Sequence, residues 1–335
     1  MRRSLTVVVL AYLLLGSDGA RRPLLSEEDD TALDMLYKSY AKTFKDKYGV
    51  IFDCVDMYKQ PALDHPLLKN HKLQVLPSSS TAGAPVPFGL QESCPDGTVP
   101  VRRYVKRDKA YTQISGQHFA QLLIESEEGS QFQEASATIE VDTLIISAGQ
   151  VSSAQILLVN EGISGRLIVI QAGWAADDHN TTGCRNMDCP GFVLLSQTKT
   201  PGMVLPTGTA SVSISKDTQT GNWFVFLDQE IVGYFPKEII NNMSGATNVQ
   251  MGGITYAPPG QGSPPMGTGV APMLGKKNLA SQFVQIVVKG AKIAKYWVDK
   301  DVSNPDIYNI VMTSASSTGP QGVSFQYGGP GGTYH

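Results

Sequence analysis

The stretch from about residue 111 onward is a succession of short apolar runs, and it constrains the fold of this 335-residue chain more than any other feature. The runs are rich in β-branched residues and are separated by turn residues; examples are ATIEV, TLIIS, AQILLV, RLIVIQAGW, NWFVFL and QFVQIVV. Such runs favour strands, and no long amphipathic helix lies between them. We predict an all-β fold, an antiparallel β-sandwich with DTQTGN as a hairpin turn, and regard a doubly wound fold as the weaker alternative.

The N-terminal part has a different character. Residues 21–48 hold the best helical pattern. Ser26 precedes Glu27, Glu28 and Asp29, which suit a first turn, and apolar residues then recur at helical spacing. Residues 76–90, LPSSSTAGAPVPFGL, indicate a flexible connector. The Asp96-Gly97 pair indicates a tight turn. We therefore predict a partly helical pro-segment ahead of the sandwich.

The first 20 residues have the pattern of a secretory signal peptide. MRR supplies positive charge, LTVVVLAYLLLG a short apolar core, and SDGA small residues for cleavage near Gly19 or Ala20. No apolar run is long enough to span a bilayer, so we expect a secreted, extracellular protein that is free of the membrane after cleavage. The sequons at Asn180 and Asn242 predict glycosylation. The net charge is −3, so we do not expect electrostatic attraction to nucleic acid, which is also negatively charged.

Four cysteines are present, and an even number in an oxidising compartment predicts two disulfides. Four cysteines allow three pairings. Cys184 and Cys189 enclose the short RNMD loop, so local closure favours their pairing and leaves Cys54 with Cys94. The spacing fits no zinc motif and the five histidines show no metal-ligand spacing, so we expect no metal.

Longer strings, kept in order along the chain, resemble the neprosin family. The activation-peptide segment of that family is similar to YGVIFDCVDMYKQPALDHPLLKNH, and its junction to CPDGTVPVRR. The later strings are QAGW, TTGCRNMDCPGFV, TGNWFVFLDQEIVGYFP, MGG, PPMGTG and YGGPGG. The resemblance covers nearly the whole chain. Together with the signal pattern over 1–20, it implies an activation peptide over 21–112 and a β-sandwich domain with a long cleft over 113–335.

The resemblance also implies an activity and a location. Active members are plant-type proteins, secreted to an apoplast-like space as precursors, and they are prolyl endopeptidases that work in acid. They use two glutamates and neither a metal nor a cofactor. One carboxyl is held protonated and the other ionised, because two like charges at close range cannot both form cheaply. The short GC…CPGF loop of the family agrees with a disulfide between Cys184 and Cys189.

Both glutamate positions differ in this chain. Gln171 stands directly before AGW, and Ile254 follows the two glycines of MGG, while Gln250 just ahead is also not acidic. No carboxylate lies between Arg166 and Trp174. An amide donates and accepts hydrogen bonds but holds no transferable proton at useful pH. We therefore predict a catalytically impaired or inactive member, a pseudoenzyme.

Three functions stay open at this level. The first is a binding module for Pro-rich peptides, cell-wall proteins or sugars. The second is an active acid prolyl endopeptidase that uses other carboxylates, such as Glu161 or Glu230, and the third is a structural or storage-like glycoprotein. Asp177, Asp178 and His179 lie in a loop shorter than the family's, where we expect solvated surface rather than an acid-base or metal cluster.

Overall fold

The computed structural model describes residues 5–14, 40–74, 89–103, 116–161, 167–177, 191–274, 279–314 and 322–333, with the backbone alone at 5–14, 177 and 295–298. We call residues 40–103 the N-terminal segment. The strands in the described ranges are β1 (Leu5–Leu14), β2 (Tyr40–Lys45), β3 (Ile51–Asp56), β4 (Thr98–Arg102), β5 (Gln117–Ser126), β6 (Glu134–Val141), β7 (Val151–Glu161), β8 (Leu167–Asp177), β9 (Val193–Leu194), β10 (Val204–Leu205), β11 (Gly208–Lys216), β12 (Trp223–Leu227), β13 (Glu230–Phe235), β14 (Asn248–Tyr256), β15 (Ser281–Lys289), β16 (Ile293–Val302), β17 (Asn309–Ser314) and β18 (Ser324–Gly328). Two short 3-10 helices span Pro61–Asp64 and Pro66–Leu68.

Two antiparallel sheets pack face to face and form the body of the protein. The first has seven strands in the order β10-β1-β8-β7-β14-β5-β16, and the second has eight in the order β17-β18-β15-β6-β11-β12-β13-β9. Contacts of β8 with β11 and of β7 with β6 join the sheets. The predicted all-β antiparallel fold is confirmed. The largest fully buried side chains of the core between the sheets include Trp174, Trp223, Tyr234, Phe283 and Phe325.

Local sequence explains much of the second sheet. β6 buries every second residue, as expected for a strand with one face on a core. The predicted DTQTGN hairpin joins β11 to β12, and the N–H of Asp217 donates to the carbonyl of Asn222 across it at 2.9 Å. The predicted turn at Asp96-Gly97 is also present. Gly97 has φ +77°, a left-handed conformation that glycine adopts at no steric cost.

The predicted helix is wrong where the structure describes it. Tyr40–Lys45 is strand β2, which pairs with β3, and β3 pairs with β4 in a three-stranded sheet. The Asp46 carboxylate accepts two backbone N–H bonds across the β2–β3 turn. Phe44 stacks on Phe52, with ring centroids 5.7 Å apart. Long-range pairing therefore outweighs the local helical pattern. Residues 21–39 of that prediction lie outside the described residues.

One of the two predicted disulfides is confirmed. Cys54 and Cys94 are bonded at 2.06 Å and are both buried, so the bond ties β3 to the chain just ahead of β4. Disulfides of this kind persist in oxidising compartments, which agrees with the predicted secretion. The other predicted pair, Cys184 and Cys189, lies outside the described residues, as does most of the connector predicted for 76–90.

β1 lies inside the predicted signal peptide. Its backbone pairs with all ten facing residues of β8, with Leu10 opposite Gln171, and its first residues also pair with β10. Among the described residues, no helix is long and apolar enough to cross a membrane. Removal of residues 1–20 stays a prediction, and it would leave β8 without a neighbour on that side along these ten residues.

Candidate functional site

Gln171 and Gln250 lie in one row across the seven-stranded sheet. Both stand opposite Leu157 of β7, Gln171 from β8 and Gln250 from β14. Directly opposite side chains of antiparallel strands share a face, so these three side chains do. The alternating residues, such as Ile170 and Met251, belong to the core between the sheets. We therefore call the face that carries Gln171 the outer face.

Ile254 lies on the outer face as well. It follows Gln250 by four residues on β14 and so has the same orientation. It is half-buried and packs against an apolar cluster that is separate from the main core. The two positions singled out by the sequence, Gln171 and Ile254, therefore lie on the same face of the sheet. One carries a carboxamide and the other an aliphatic side chain. The apolar cluster consists of Leu157, Val159 and Val169, with Leu167 and Ile254 packed against it.

Two glycines lie on the outer face two residues along the strands from the row of Gln171. Gly173 and Gly252 both stand opposite Gln155, one on each side of it. A Cβ on Gly173 would lie 2.0 Å from the carbonyl oxygen of Ala154, and one on Gly252 would lie 2.2 Å from that of Ala120. Only glycine fits at these two positions, which explains the glycine of QAGW and the first glycine of MGG.

The acidic side chains of the outer face lie at its border. Asp299 of β16 shares the row of Gln171 but is four strand spacings away, about 19 Å. Burial, together with the charge of Asp299, raises the pKa of Asp301. Glu161 is exposed at the end of β7. On the described strands, no carboxylate occupies a position adjacent to Gln171 or Ile254.

Glu230, the other acid suggested by the sequence, has a structural role. Its carboxylate pairs with the fully buried Lys199 at 3.3 Å. It also accepts hydrogen bonds from the hydroxyls of Ser196 and Thr198, at 2.6 and 3.0 Å. Glu230 lies on β13 of the eight-stranded sheet and is occupied by these partners.

Three of the strings that carry the family resemblance meet inside the sandwich. A Cβ on Gly253, the second glycine of MGG, would lie 2.4 Å from Sδ of Met266 in PPMGTG and 2.9 Å from Cδ2 of Tyr327 in YGGPGG. Nearby, the Ser281 hydroxyl donates to the carboxylate of Asp142, whose pKa is raised by burial. These strings are therefore explained by packing rather than by outer-face chemistry.

Several predicted site residues lie outside the described residues, namely Asn180, Asp178 and His179. Asn242 is described; it is exposed and has φ +54°, in a turn where a glycan would meet no obstacle from burial. Within the described ranges, no three His, Cys, Asp or Glu side chains group closely enough to hold a metal ion.

Sequence reasoning missed a set of carboxamides on the outer face. Gln121 and Gln155 stand on either side of Gly252, and Asn248 lies two residues before Gln250. The glutamines interrupt the apolar runs FAQLLI, AQILLV, VIQAGW and NVQMGG. A polar amide in the middle of a buried strand needs a partner. That anomaly, which is visible in the sequence, is the signal that would have found them.

Comparison with known proteins decides the family. The sequence profile described as Neprosin matches residues 168–330, and the profile described as Neprosin activation peptide matches residues 43–121. The chain belongs to the neprosin family. Among solved structures, it is similar to the crystal structure of Scytalido-glutamic peptidase with a peptide-based transition state analog, at 14% identity and a TM-score of 0.34. That match covers 64% of this chain and 98% of the peptidase chain.

The N-terminal segment of this neprosin-family protein packs on the edge of the eight-stranded sheet. Gln60 is fully buried, and its carboxamide bonds both backbone groups of Leu194 in β9, at 3.1 and 2.6 Å. Farther along, the Thr200 hydroxyl donates to the carbonyl of Pro100 at 2.7 Å. The Gln60 amide thus takes the place that a neighbouring strand would occupy.

A titratable contact fixes the segment near its midpoint. Nε2 of His71 lies 2.8 Å from the Tyr234 hydroxyl, and burial lowers the pKa of His71 although Glu238 opposes the shift. Burial alone would raise the pKa of Asp217, but hydrogen bonds from its own loop and from Gln74 outweigh it, and this pKa lies below its ordinary value. The docked segment therefore favours a neutral histidine and an ionised carboxylate.

Acid should loosen this contact. The docked state binds fewer protons than the undocked state, because the pKa values of both His71 and Asp217 are lowered on docking. The contribution of His71 to docking is therefore complete above its ordinary pKa of 6.5 and decreases as pH falls below that value. The contribution of Asp217 is lost near and below its ordinary pKa of 3.8. We expect the melting temperature to fall between about pH 7 and 4, and less so in His71→Gln. The matched control is His65→Gln, a half-buried histidine of the same segment whose Nδ1 accepts from the backbone N–H of Leu67. An equal fall in His71→Gln and wild type would contradict the assignment.

Proposed function

We propose that this chain is a secreted neprosin-family protein whose peptidase chemistry is disabled and whose outer face binds a ligand without cleaving it. The observation that carries the proposal is the presence of Gln171 and Ile254 on one face, where neither side chain exchanges a proton at useful pH. Ile254 also packs in an apolar cluster, which disfavours charge at that point.

The chemistry explains why both replacements matter. Peptide hydrolysis by carboxyl groups needs a base to activate water and an acid to protonate the leaving nitrogen. Gln171 can orient a water or a carbonyl group but cannot take up a proton, and Ile254 can do neither. Loss of one member of a cooperating catalytic set usually costs orders of magnitude in rate.

Pro-rich peptides and cell-wall proteins are the partners that fit this proposal. The outer face combines neutral amides with the apolar cluster around Leu157, which suits uncharged polypeptide better than ions. The Cys54–Cys94 disulfide and the activation-peptide profile support an extracellular location. The exposed Asn242 supports a glycoprotein.

An active acid peptidase that uses other carboxylates is the second candidate. Glu161 favours it, because this side chain lies on the outer face. It is four residues along the strand from the row of Gln171, however, which is about 13 Å. Gln171 also cannot supply the second ionisable group that hydrolysis needs, so we rank this function below the first.

Incubation of the secreted chain with a Pro-rich protein substrate between about pH 2.5 and 7 tests the proposal. We expect mass spectrometry to find no cleavage after proline. Glu161→Gln is the matched variant. Cleavage in the wild type that this substitution abolishes would contradict the first function and support the second.

A further inference from the structure

Gln121 and Gln155 flank Gly252 on the outer face, and each leaves one buried polar atom without a partner. Gly252 of β14 stands opposite Gln121 of β5 on one side and opposite Gln155 of β7 on the other. The two glutamines are 5% and 6% exposed. Nε2 of Gln121 and Oε1 of Gln155 have no hydrogen-bond partner among the described residues. Buried polar groups almost always have one, so two such atoms around one glycine indicate a site for a ligand.

Ser153 fixes which atom of Gln155 is free. The Ser153 hydroxyl donates to the carbonyl oxygen of Ile254 at 3.0 Å. Its oxygen then accepts from Nε2 of Gln155 at 2.6 Å. With its nitrogen engaged, Gln155 presents its oxygen, which is an acceptor, while Gln121 presents its nitrogen, which is a donor. The pair offers one donor and one acceptor, and their Cα atoms are two strand spacings apart, about 10 Å.

We propose that Gln121 and Gln155 bind one peptide unit of an extended polypeptide that lies along β14 above Gly252. In an extended chain, each peptide unit directs its C=O to one side and its N–H to the other. A segment parallel to β14 aims these groups at β5 and β7, where the free donor and the free acceptor stand. Gly252 and Gly173 have no side chains, so a backbone can approach closely. This inference names the ligand class of the proposed function and rests on it.

Two properties of the ligand follow. The residue whose N–H reaches Gln155 is not proline, because proline has no N–H, although prolines can occupy other positions. A neighbouring side chain that points to the sheet meets the apolar cluster around Leu157, so an apolar residue is favoured there. A carboxylate is disfavoured at the pair, because neither amide offers a compensating positive charge and Asp301 of β16 stands directly opposite Gln121.

The test uses the full secreted chain labelled with 15N only in glutamine, and N-methylacetamide as the simplest secondary amide. We expect the side-chain NH2 signals of Gln121, identified by their loss in Gln121→Leu, to shift and saturate on titration. N,N-dimethylacetamide keeps the carbonyl but lacks the N–H, so it should bind about tenfold more weakly, as expected for one lost hydrogen bond to a buried acceptor. Once the signals are assigned, this comparison uses only the wild-type protein.

Variants locate the two contacts. Gln155→Leu should weaken N-methylacetamide about tenfold and leave N,N-dimethylacetamide unchanged, because only the first ligand donates to Gln155. Gln219→Leu, in the exposed hairpin loop, is the matched control and should change neither titration. If the Gln121 signals do not shift when N-methylacetamide is added, the proposal is overturned, because the two unpartnered atoms would then bind only a trapped water molecule. A response to methyl glucoside alone would also overturn it, in favour of a sugar.

The outcome is separable from that of the proposed function. Cleavage of a Pro-rich substrate by the wild type would overturn the proposed function whatever the amide titration shows. A failed titration in a protein that cleaves nothing would overturn the peptide site and leave the loss of peptidase chemistry in place.

Discussion

Replacing Gln171 and Ile254 together by glutamate should give this chain acid-dependent cleavage after proline. Both positions lie on the outer face, two strands and four residues apart, which is about 16 Å between Cα atoms, so two carboxyl groups would face one extended substrate. We expect at least about a hundredfold gain over either single variant, because each single variant lacks either the acid or the base, and each of these groups contributes on the order of a hundredfold or more. The rate of release of peptide fragments, measured against pH, checks the prediction.

The matched control keeps one new carboxylate and the same side-chain size. Gln171→Glu combined with Ile254→Gln places an amide where the second glutamate would stand, and it should remain inactive. The apolar cluster around position 254 should raise the pKa of a glutamate placed there, which would keep it protonated as the acid. Equal activity of the control and the double glutamate variant, or no activity in either, would refute the assignment of these positions.

Removal of the Cys54–Cys94 disulfide should destabilise the N-terminal segment strongly. The bond closes a loop with a sequence separation of 40 residues, and chain-entropy arguments assign a loop of that length about 4 kcal/mol. We expect Cys54→Ala with Cys94→Ala to lower the free energy of unfolding by about this amount in urea titrations. The three-stranded sheet β2-β3-β4 should become the first part to unfold.

Val55→Ala is the matched control for that experiment. Val55 is buried beside Cys54 in β3, so its truncation removes apolar packing while leaving the cross-link intact. We expect a loss of about 1–3 kcal/mol there, with the segment still docked. If the cysteine double variant loses no more than Val55→Ala, the disulfide does not govern the stability of this segment.

The fold was predictable where local signals and long-range pairing agree. Short β-branched runs and the DTQTGN turn predict the antiparallel strands of the eight-stranded sheet, and β11 and β12 form that hairpin. The chain around Phe44 was not predictable in this way. Its spacing suits a helix locally, but pairing with β3 buries Phe44 against Phe52, and that gain comes from residues on another strand.

The candidate site was predictable only in part. Family resemblance singled out Gln171 and Ile254, and the structure places both on one face. The pair formed by Gln121 and Gln155 could not be derived, because it depends on the register of three strands far apart in sequence. One feature of the sequence did indicate these two residues, because each glutamine interrupts an apolar run.

The carboxamide of Gln60 has a consequence for any maturation of this protein. Loss of the N-terminal segment would strip the outermost strand of its hydrogen-bonding cover and turn Val193 and Leu194, now both fully buried, towards water. Bare strand borders of this kind recruit other chains, from partners to aggregates. The side chain that caps this edge strand therefore also protects the protein against association with its own copies.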